Sequence, residues 1–171
     1  MPLNVHEASV GVFVRGLTNL KVLLTKGEAH ATAAGFTPRE LLGAELAPGM
    51  YGLAEQVHWA AQGAQMAVDR LIGATVAPPV AAEPAKSFAE LQGLVDAVLA
   101  YLGTVDGAAV EVGLARTIEI AHRGSSTRYT GTQFLQQFAV PSFFFHFTIA
   151  YAILRHKGVP LTKGDFLGPQ G

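Results

Sequence analysis

The chain has 171 residues, of which 50% are hydrophobic and 15% charged, a balance typical of one folded domain over residues 1–171 rather than of a disordered chain. Its formal net charge of -1 gives no basic excess, which argues against nucleic acid as a partner. The absence of cysteine excludes a disulfide framework, a thiolate metal site and a cysteine nucleophile, and because it suits a reducing compartment we expect a cytoplasmic protein.

The first predicted element is one long amphipathic helix that ends near Gly35. Its apolar residues recur at alternating spacings of three and four, the period of a helix with one buried face. They are Val10, Phe13, Leu17, Leu20, Leu24, Gly27 and Ala31. A short helical turn through Leu42 is predicted next, because Thr37 and Glu40 form a capping box around Pro38 at the first helical position.

A second and a third helix follow, separated by a proline-containing connector. The second has an alanine-rich stripe and ends at Gly73; its stripe is Met50, Leu53, Val57, Ala60, Ala64, Ala67 and Leu71. The third begins at a capping box formed by Ser87 and Glu90, with the stripe Phe88, Leu91, Val95, Val98 and Leu102. When extended, the connector 74–86 spans about 43 Å, more than the roughly 35 Å of such a helix. The second and third helices are therefore free to run parallel.

A β-hairpin and a fourth helix complete the predicted elements. The strands are expected at Thr117 to His122 and at Ser126 to Thr130, joined by a glycine-containing turn at 123–125. The fourth helix is expected to begin near Thr130 to Thr132 and to run to Arg155. Pro141 removes one backbone donor from it, so we expect a bend or break there.

The fourth helix raises the question of a membrane, because Tyr129 to Leu154 contains no Lys, Arg, Asp or Glu and is long enough to span a bilayer. We reject a membrane span because Pro141 interrupts the stretch, polar residues such as Gln136 and His146 lie within it, and no second span accompanies it. The protein is therefore expected to have no membrane partner.

The phenylalanines of the fourth helix predict that it is covered on several sides. Consecutive helix positions differ in direction by about 100°, so one buried face cannot hold all four. They are Phe143, Phe144, Phe145 and Phe147. We expect a second copy of the chain to supply part of the cover, which makes a homodimer. The alternative is that the hairpin and the C-terminal tail complete the burial within one chain.

A set of short motifs along the chain is similar to those of one protein family. They are Arg15-Gly16-Leu17, Asn19-Leu20, Gln56, Arg70-Leu71, Gly73, Tyr129-Thr130-Gly131, Phe138-Ala139-Val140-Pro141, Phe143, Phe145-His146, Tyr151 to His156, Gly158-Val159, Lys163 and Asp165 to Gly168. With these motifs the chain resembles the bacterial family called domain of unknown function 1993, which is grouped with the DinB/YfiT-like helical bundles. The likeness covers nearly the whole chain.

The resemblance implies an all-α fold, a DinB/YfiT-like four-helix bundle of up-down-down-up order with a small β-hairpin before the last helix, and it implies a homodimer. It brings no activity with it. DinB-like proteins often hold a divalent metal through one His of the second helix and two His one turn apart on the fourth, and this chain lacks that pair. Gln62, Gly63 and Gln65 also depart from the more polar residues that the resemblance leads us to expect.

A metal site is nevertheless conceivable from the residues themselves. Glu55 and His58 have the Glu-x-x-His spacing of carboxylate metal bundles, and His146 would supply a third ligand if the second and fourth helices face each other. Zinc, nickel or manganese would suit such a set. The alternative is a purely structural role, in which both histidines are partly buried and hydrogen-bonded to backbone or glutamine groups. Ser142 lies one turn before His146, but the sequence provides no oxyanion hole and no orienting acid beside it, so we do not predict a serine hydrolase.

A polar cavity between the helices is the second candidate. Arg15 and Asn19 share one face of the first helix and, with Gln56, are placed to line such a cavity, although Arg15 is equally suited to bonding carbonyl groups. The leading hypothesis is a metal-free dimeric module that binds a small molecule or a partner. Its candidate pocket residues are Arg15, Asn19, Gln56, His58 and His146.

Two other hypotheses about the function stay open. One is a metal-dependent transferase or hydrolase acting on a small molecule through Glu55, His58 and His146. The other is a fold and a dimer that persist although an ancestral site has decayed. The sequence does not decide whether the chain is an enzyme.

Overall fold

A computed structural model describes residues 4–76, 85, 87–122 and 124–169. This part of the chain is mainly helical and contains one two-stranded antiparallel sheet. The first half comprises α1 (Val5–Ala8), α2 (Val10–Ala34), α3 (Pro38–Leu42), α4 (Leu53–Ile72) and α5 (Phe88–Leu102). The second half comprises α6 (Gly107–Gly113), β1 (Thr117–His122), β2 (Ser125–Thr130), α7 (Gly131–Phe134), a π-helical turn (Leu135–Ala139), α8 (Val140–His156) and α9 (Lys163–Leu167).

The long helices and the hairpin lie close to where the sequence predicts them, because their local signals are strong. The exception is Met50, which was predicted in the stripe of the second helix but precedes α4, since the helix begins only after its N-cap Gly52. The third predicted helix has the bounds of α5, and the side chain of Ser87 accepts the hydrogen bond from Glu90 N that defines its start. The predicted capping box of Thr37 and Glu40 is present at α3. Most of the predicted connector, residues 77–84 and 86, lies outside the described residues.

Three short helices, α1, α6 and α9, were not predicted. Each is four to seven residues long, too short to show an apolar period. Their starts are fixed by side-chain caps instead: Asn4 at α1, Asp106 at α6 and Thr162 at α9. Capping residues are common outside helices, so these caps alone were insufficient as signals.

Helix α4 is the centre of the fold, since it packs against α8 on one side and α5 on the other. Its buried alanines, Ala60, Ala64 and Ala67, leave room for close approach of these neighbours. Helix α2 packs against both α5 and α8, and its predicted stripe is buried in the same core. Gly35 ends α2 in the left-handed conformation, with φ 75°.

The predicted irregularity near Pro141 is a π-helical turn. Leu135–Ala139 adopts this wider turn immediately before α8, and the helical path from Gly131 to His156 is continuous over 26 residues. A proline cannot donate the regular hydrogen bond, and its ring crowds the preceding turn. A widened turn just before Pro141 accommodates both effects without ending the helix.

The helix from Gly131 to His156 is long and apolar enough to cross a membrane. Helices α5 and α6 would be long enough only if they counted together as one span, and the angle between them is 85°. Length and composition alone do not separate such a span from a core helix. Phe143, Phe147, Ala150, Ile153 and Leu154 of this helix are buried within the protein. In the most apolar stretch of this helix, 33% is buried within the protein.

The hairpin is fixed to the end of α4 by close backbone contacts. β1 and β2 pair from Thr117 opposite Thr130 to His122 opposite Ser125, and Gly124 has φ 83° in the turn. Gly131 N donates to Arg116 O at 2.8 Å. A Cβ on Gly131 would collide with Gly113 O, and one on Gly113 with Leu71 O, so only glycine permits these approaches. The hairpin therefore covers the C-terminal end of α4.

Candidate functional site

A trough with a cavity volume of about 440 Å³ runs along the seam between α4 and the last helix. This volume is in the range of small-molecule sites. Its lining residues are Tyr51, Trp59, Gly63, Met66, Ala67, Arg70, Ile120, Ala121, Phe134, Phe138, Ala139, Ser142, Phe143 and His146. Helix α4, the hairpin and the last helix each contribute one wall.

Aromatic side chains form much of the wall. Tyr51 stacks on Trp59, with ring centroids 6.3 Å apart, and Phe134 stacks on Phe138 at 5.7 Å. Trp59 is the only tryptophan of the chain. Apolar and aromatic walls with a few polar groups are the usual construction of a ligand pocket.

Gln56 and His146 form the polar group at one end of the trough. Gln56 Nε2 donates to Tyr51 O at 3.1 Å, which turns its Oε1 toward His146. His146 Nδ1 lies 2.8 Å from this oxygen, and because a carbonyl oxygen only accepts, Nδ1 is the protonated ring nitrogen. Nε2 of the neutral ring is therefore an acceptor, and no residue of the described chain bonds to it.

Burial lowers the pKa of His146 from its usual 6.5. Removing an imidazole from water disfavours its charged form, and no carboxylate within salt-bridge distance opposes this effect in the described chain. His146 is thus a neutral hydrogen-bond acceptor at physiological pH. Such a nitrogen can bind a donor group of a ligand or take up a proton from it.

Arg70 lies at the other end of the trough, in the last turn of α4. Its Nη1 donates to Met66 O at 3.1 Å, and the rest of its five-donor guanidinium has no hydrogen-bond partner among the described residues. Burial lowers the pKa of Arg70, and the charge of Asp69 partly opposes the shift. Among the described residues, no carboxylate lies within 4.0 Å of this cation.

The comparisons with known proteins give the family. The family described as Domain of unknown function (DUF1993) matches residues 5–167. The chain belongs to the DUF1993 family. A crystal structure of a DinB family member protein from Shewanella denitrificans is similar to it, with 33% sequence identity and a TM-score of 0.86, over 96% of this chain and 92% of that chain. No curated protein matches this DUF1993 chain.

Two of the five predicted pocket residues meet in the DUF1993 structure, namely Gln56 and His146. Arg15 and Asn19 lie elsewhere and hold the C-terminal tail. Arg15 Nη2 donates to Leu167 O at 3.0 Å and Asn19 Nδ2 to Phe166 O at 3.0 Å. They border a second cavity of about 370 Å³ beside α9. The observed role of Arg15 is thus the one that the sequence left as an alternative, bonding of carbonyl groups.

His58 does not line the trough, although its ring lies 5.2 Å from that of Trp59. It is two positions from Gln56, and two helical positions differ in direction by about 200°, so the side chains point to opposite sides of α4. Nε2 of His58 is buried without a hydrogen-bond partner among the described residues. Glu55 accepts a hydrogen bond from Gly52 N at 3.0 Å and so caps α4. Glu55, His58 and His146 are therefore not brought together, and the described part of the chain contains no cluster of three His, Cys, Asp or Glu side chains.

Several trough residues were missed from the sequence, above all Trp59 and Arg70. A signal for them exists, because Trp59, Gly63, Met66 and Arg70 follow one another at spacings of four, three and four and thus share one face of a helix. This face lies beside the alanine stripe that packs in the core. Its mixture of small, aromatic and charged residues has no regular apolar pattern, so periodicity alone did not single it out.

Proposed function

We propose that this DUF1993 protein is a metal-free module that binds a small molecule in the trough between α4 and the last helix. The observation that carries the proposal is the acceptor at His146. Gln56 holds Nδ1 of this half-buried ring in a fixed orientation, and Nε2 has no hydrogen-bond partner within the described chain. Nε2 is not among the fully buried unpaired atoms of the described chain, so it is accessible and can accept a hydrogen bond from a ligand donor.

A pocket-filling variant tests this proposal. A Cβ added to Gly63 meets no heavy atom within 4 Å, so Gly63→Leu extends into the trough without a backbone clash. Leucine also favours a helix over glycine by up to about 1 kcal/mol, so the variant is expected to fold at least as stably. Fragments with aromatic or branched aliphatic groups are screened against it by ligand-observed NMR and by the fluorescence of Trp59, which lines the trough.

Gly93→Leu is the matched control, because Gly93 lies in an exposed position of α5 and a Cβ there also meets nothing within 4 Å. We expect fragments that bind the wild type and Gly93→Leu but not Gly63→Leu. If Gly63→Leu binds the same fragments as the wild type, or if no fragment binds any of the three proteins, the proposal is wrong. Elemental analysis of protein purified without a metal-affinity tag is the second test, and a stoichiometric metal lost in His146→Gln would contradict the metal-free part.

We also propose the up-down-down-up order for the four long helices. Gln56 contacts His146 near the start of α4. At the other end of α4, Gly131 contacts the backbone of Gly113, which in turn lies against Leu71. These two contacts support opposite directions for α4 and the last helix. The length of the connector leaves α4 and α5 free to run parallel, and the similar structure is that of a DinB family member.

A homodimer is the third part of the proposal. Phe145 is 56% exposed and Phe138 40% exposed, and both lie on the last helix. Large exposed aromatic side chains on one helix are typical of an association surface. A second copy that covers this helix would bury them, as the sequence led us to expect.

A further inference from the structure

We infer that the ligand of the trough is an elongated, apolar monocarboxylate whose carboxylate group binds Arg70. This inference rests on the proposed small-molecule function and adds the chemical class of the ligand. It is carried by three features of the trough: a cation with no carboxylate within 4.0 Å among the described residues, lining residues that extend along about three turns of α4, and mostly apolar walls.

Arg70 is one of several cations of the described chain that form no ion pair, and it is the one that lines the trough. Lys21, Lys26 and Arg128 each pair with an aspartate or glutamate. The carboxylate next to Arg70, that of Asp69, is held instead by the hydroxyl of Tyr101 on α5. Arg70 is half-buried, and its one hydrogen bond goes to a backbone carbonyl. A guanidinium in this position offers a carboxylate two parallel N–H donors.

The charge of the site fits a single negative charge. Arg70 is the only Lys or Arg among the lining residues, and the only lining histidine, His146, is neutral. One cation balances a carboxylate, whereas a phosphate group at neutral pH carries close to two charges and calls for further donors. No Asp or Glu lines the trough to repel an anion or attract a cationic ligand.

The shape of the site fits a long ligand. Trp59 and Arg70, the first and last residues of α4 that line the trough, are separated by about 17 Å along the helix axis. Arg70 folds back by one turn toward Met66, and the space between the two ends is lined by Trp59, Met66, Ile120 and Phe138. An alkyl or aryl-alkyl chain would bury its apolar surface along these side chains. His146 Nε2 would accept from any donor at the far end of the ligand.

Isothermal titration calorimetry with three compounds of equal chain length tests the inference: octanoate, neutral octanamide and cationic octylammonium. We expect the wild type to bind octanoate roughly ten- to a hundredfold more tightly than octanamide, the effect of a charge-assisted hydrogen bond. Arg70→Met keeps the apolar stem and should make the two affinities equal. Octylammonium should bind most weakly to the wild type.

Arg116→Met is the matched control, since Arg116 lies against Gly73 at the same end of α4 but does not line the trough. It removes the same charge and should keep the preference for octanoate. If Arg70→Met does not fold, Arg70→Lys keeps the charge but not the paired donors and should lower the preference in part. A wild type that binds octanamide as tightly as octanoate, with both lost in Gly63→Leu, overturns the carboxylate inference and leaves the proposed function intact. Binding of none of the three compounds overturns the carboxylate inference, whereas the proposed function is decided by the fragment screen.

Discussion

At the scale of single residues, His146 is the side chain on which the site depends. Its Nδ1 proton is fixed by Gln56, whose own amide is fixed by Tyr51 O, so the ring has one orientation and one tautomer. Hydrogen bonds that fix a ring in this way distinguish a histidine positioned for binding from one that only fills space. Burial lowers the pKa of His146 in the folded protein, so its titration is coupled to folding.

The pH dependence of stability should report this coupling. The pKa of His146 is lowered from 6.5 in the folded protein by burial, so below pH 6.5 the unfolded chain binds more protons than the folded one. The stabilising contribution is therefore complete above pH 6.5 and is lost as the pH falls through 6.5 toward the lowered pKa. We expect the stability advantage of the wild type over His146→Gln to shrink in this direction.

Urea unfolding of the two proteins over a series of pH values measures this difference, and the other histidines cancel because both proteins contain them. His30→Gln is a suitable control, since His30 Nε2 contacts Lys157 O outside the trough. A constant difference between the wild type and His146→Gln across pH 6.5 would show that His146 does not titrate as its burial requires.

At the scale of elements, α4 joins the site to the core because its faces have different partners. One face lines the trough, the alanine stripe packs in the core, and Asp69 connects the helix to α5 through the hydroxyl of Tyr101. Asp69 is 8% exposed, and burial together with this carboxylate raises the pKa of Tyr101 to about 12. The buried carboxylate thus relies on one neutral donor, and it lies next to Arg70 in the chain.

Removal of this hydroxyl should destabilise the protein. Tyr101→Phe keeps the ring but leaves the Asp69 carboxylate without that donor, and an unsatisfied buried polar group costs about 1–3 kcal/mol. Chemical denaturation measures the loss. Tyr151→Phe is the matched control, because no hydrogen bond to the Tyr151 hydroxyl occurs within the described chain, and it should change stability little. Equal stability of Tyr101→Phe and the wild type would contradict the assigned role of the pair.

At the scale of the whole molecule, the last helix has two roles. Its buried side pairs with α4 and α2, and it also presents Phe145 to solvent. An aromatic side chain this exposed is unfavourable in a monomer of 18.0 kDa, where it contributes neither to the core nor to the trough. Association of two copies through this surface would remove it from water.

Light scattering coupled to size-exclusion chromatography tests the dimer. We expect twice the monomer mass of 18.0 kDa for the wild type and the monomer mass for Phe145→Lys, which places a charge in the interface. Val112→Lys, at a 64% exposed position of α6, should leave the dimer intact. A wild type that stays monomeric at every concentration would contradict the proposed assembly.

The parts of the fold that could be predicted are those specified by local sequence signals such as caps, apolar stripes and turn residues. The bounds of α5 follow from Ser87 and from an apolar stripe, and the hairpin follows from two β-prone runs around Gly124. The π-helical turn was predicted only as an irregularity at Pro141, because a proline announces a disturbed hydrogen-bond pattern but not the form that the chain adopts. The short helices lacked the length that periodicity needs.

The candidate site was predictable only in fragments. Gln56 and His146 were selected as polar residues on facing helices, and they meet across 90 positions of the chain. Arg15 and Asn19 were selected on the same grounds, yet their partners are backbone carbonyls 152 and 147 positions away in the tail. The polar residues of a helix do not reveal from their spacing whether their partners lie on a neighbouring helix or in the C-terminal tail.

By itself the sequence determined the helical class, the caps of α3 and α5, the hairpin and the family, because these depend on residue spacing and on motifs that a single chain displays. Only the tertiary structure decided which polar groups share a cavity: it placed His146 with Gln56 and put Arg70 in the trough with no carboxylate within 4.0 Å among the described residues. The reason is physical. Spacing along a helix fixes direction around one axis, whereas a site requires the relative position of several axes, which the packing of distant segments sets.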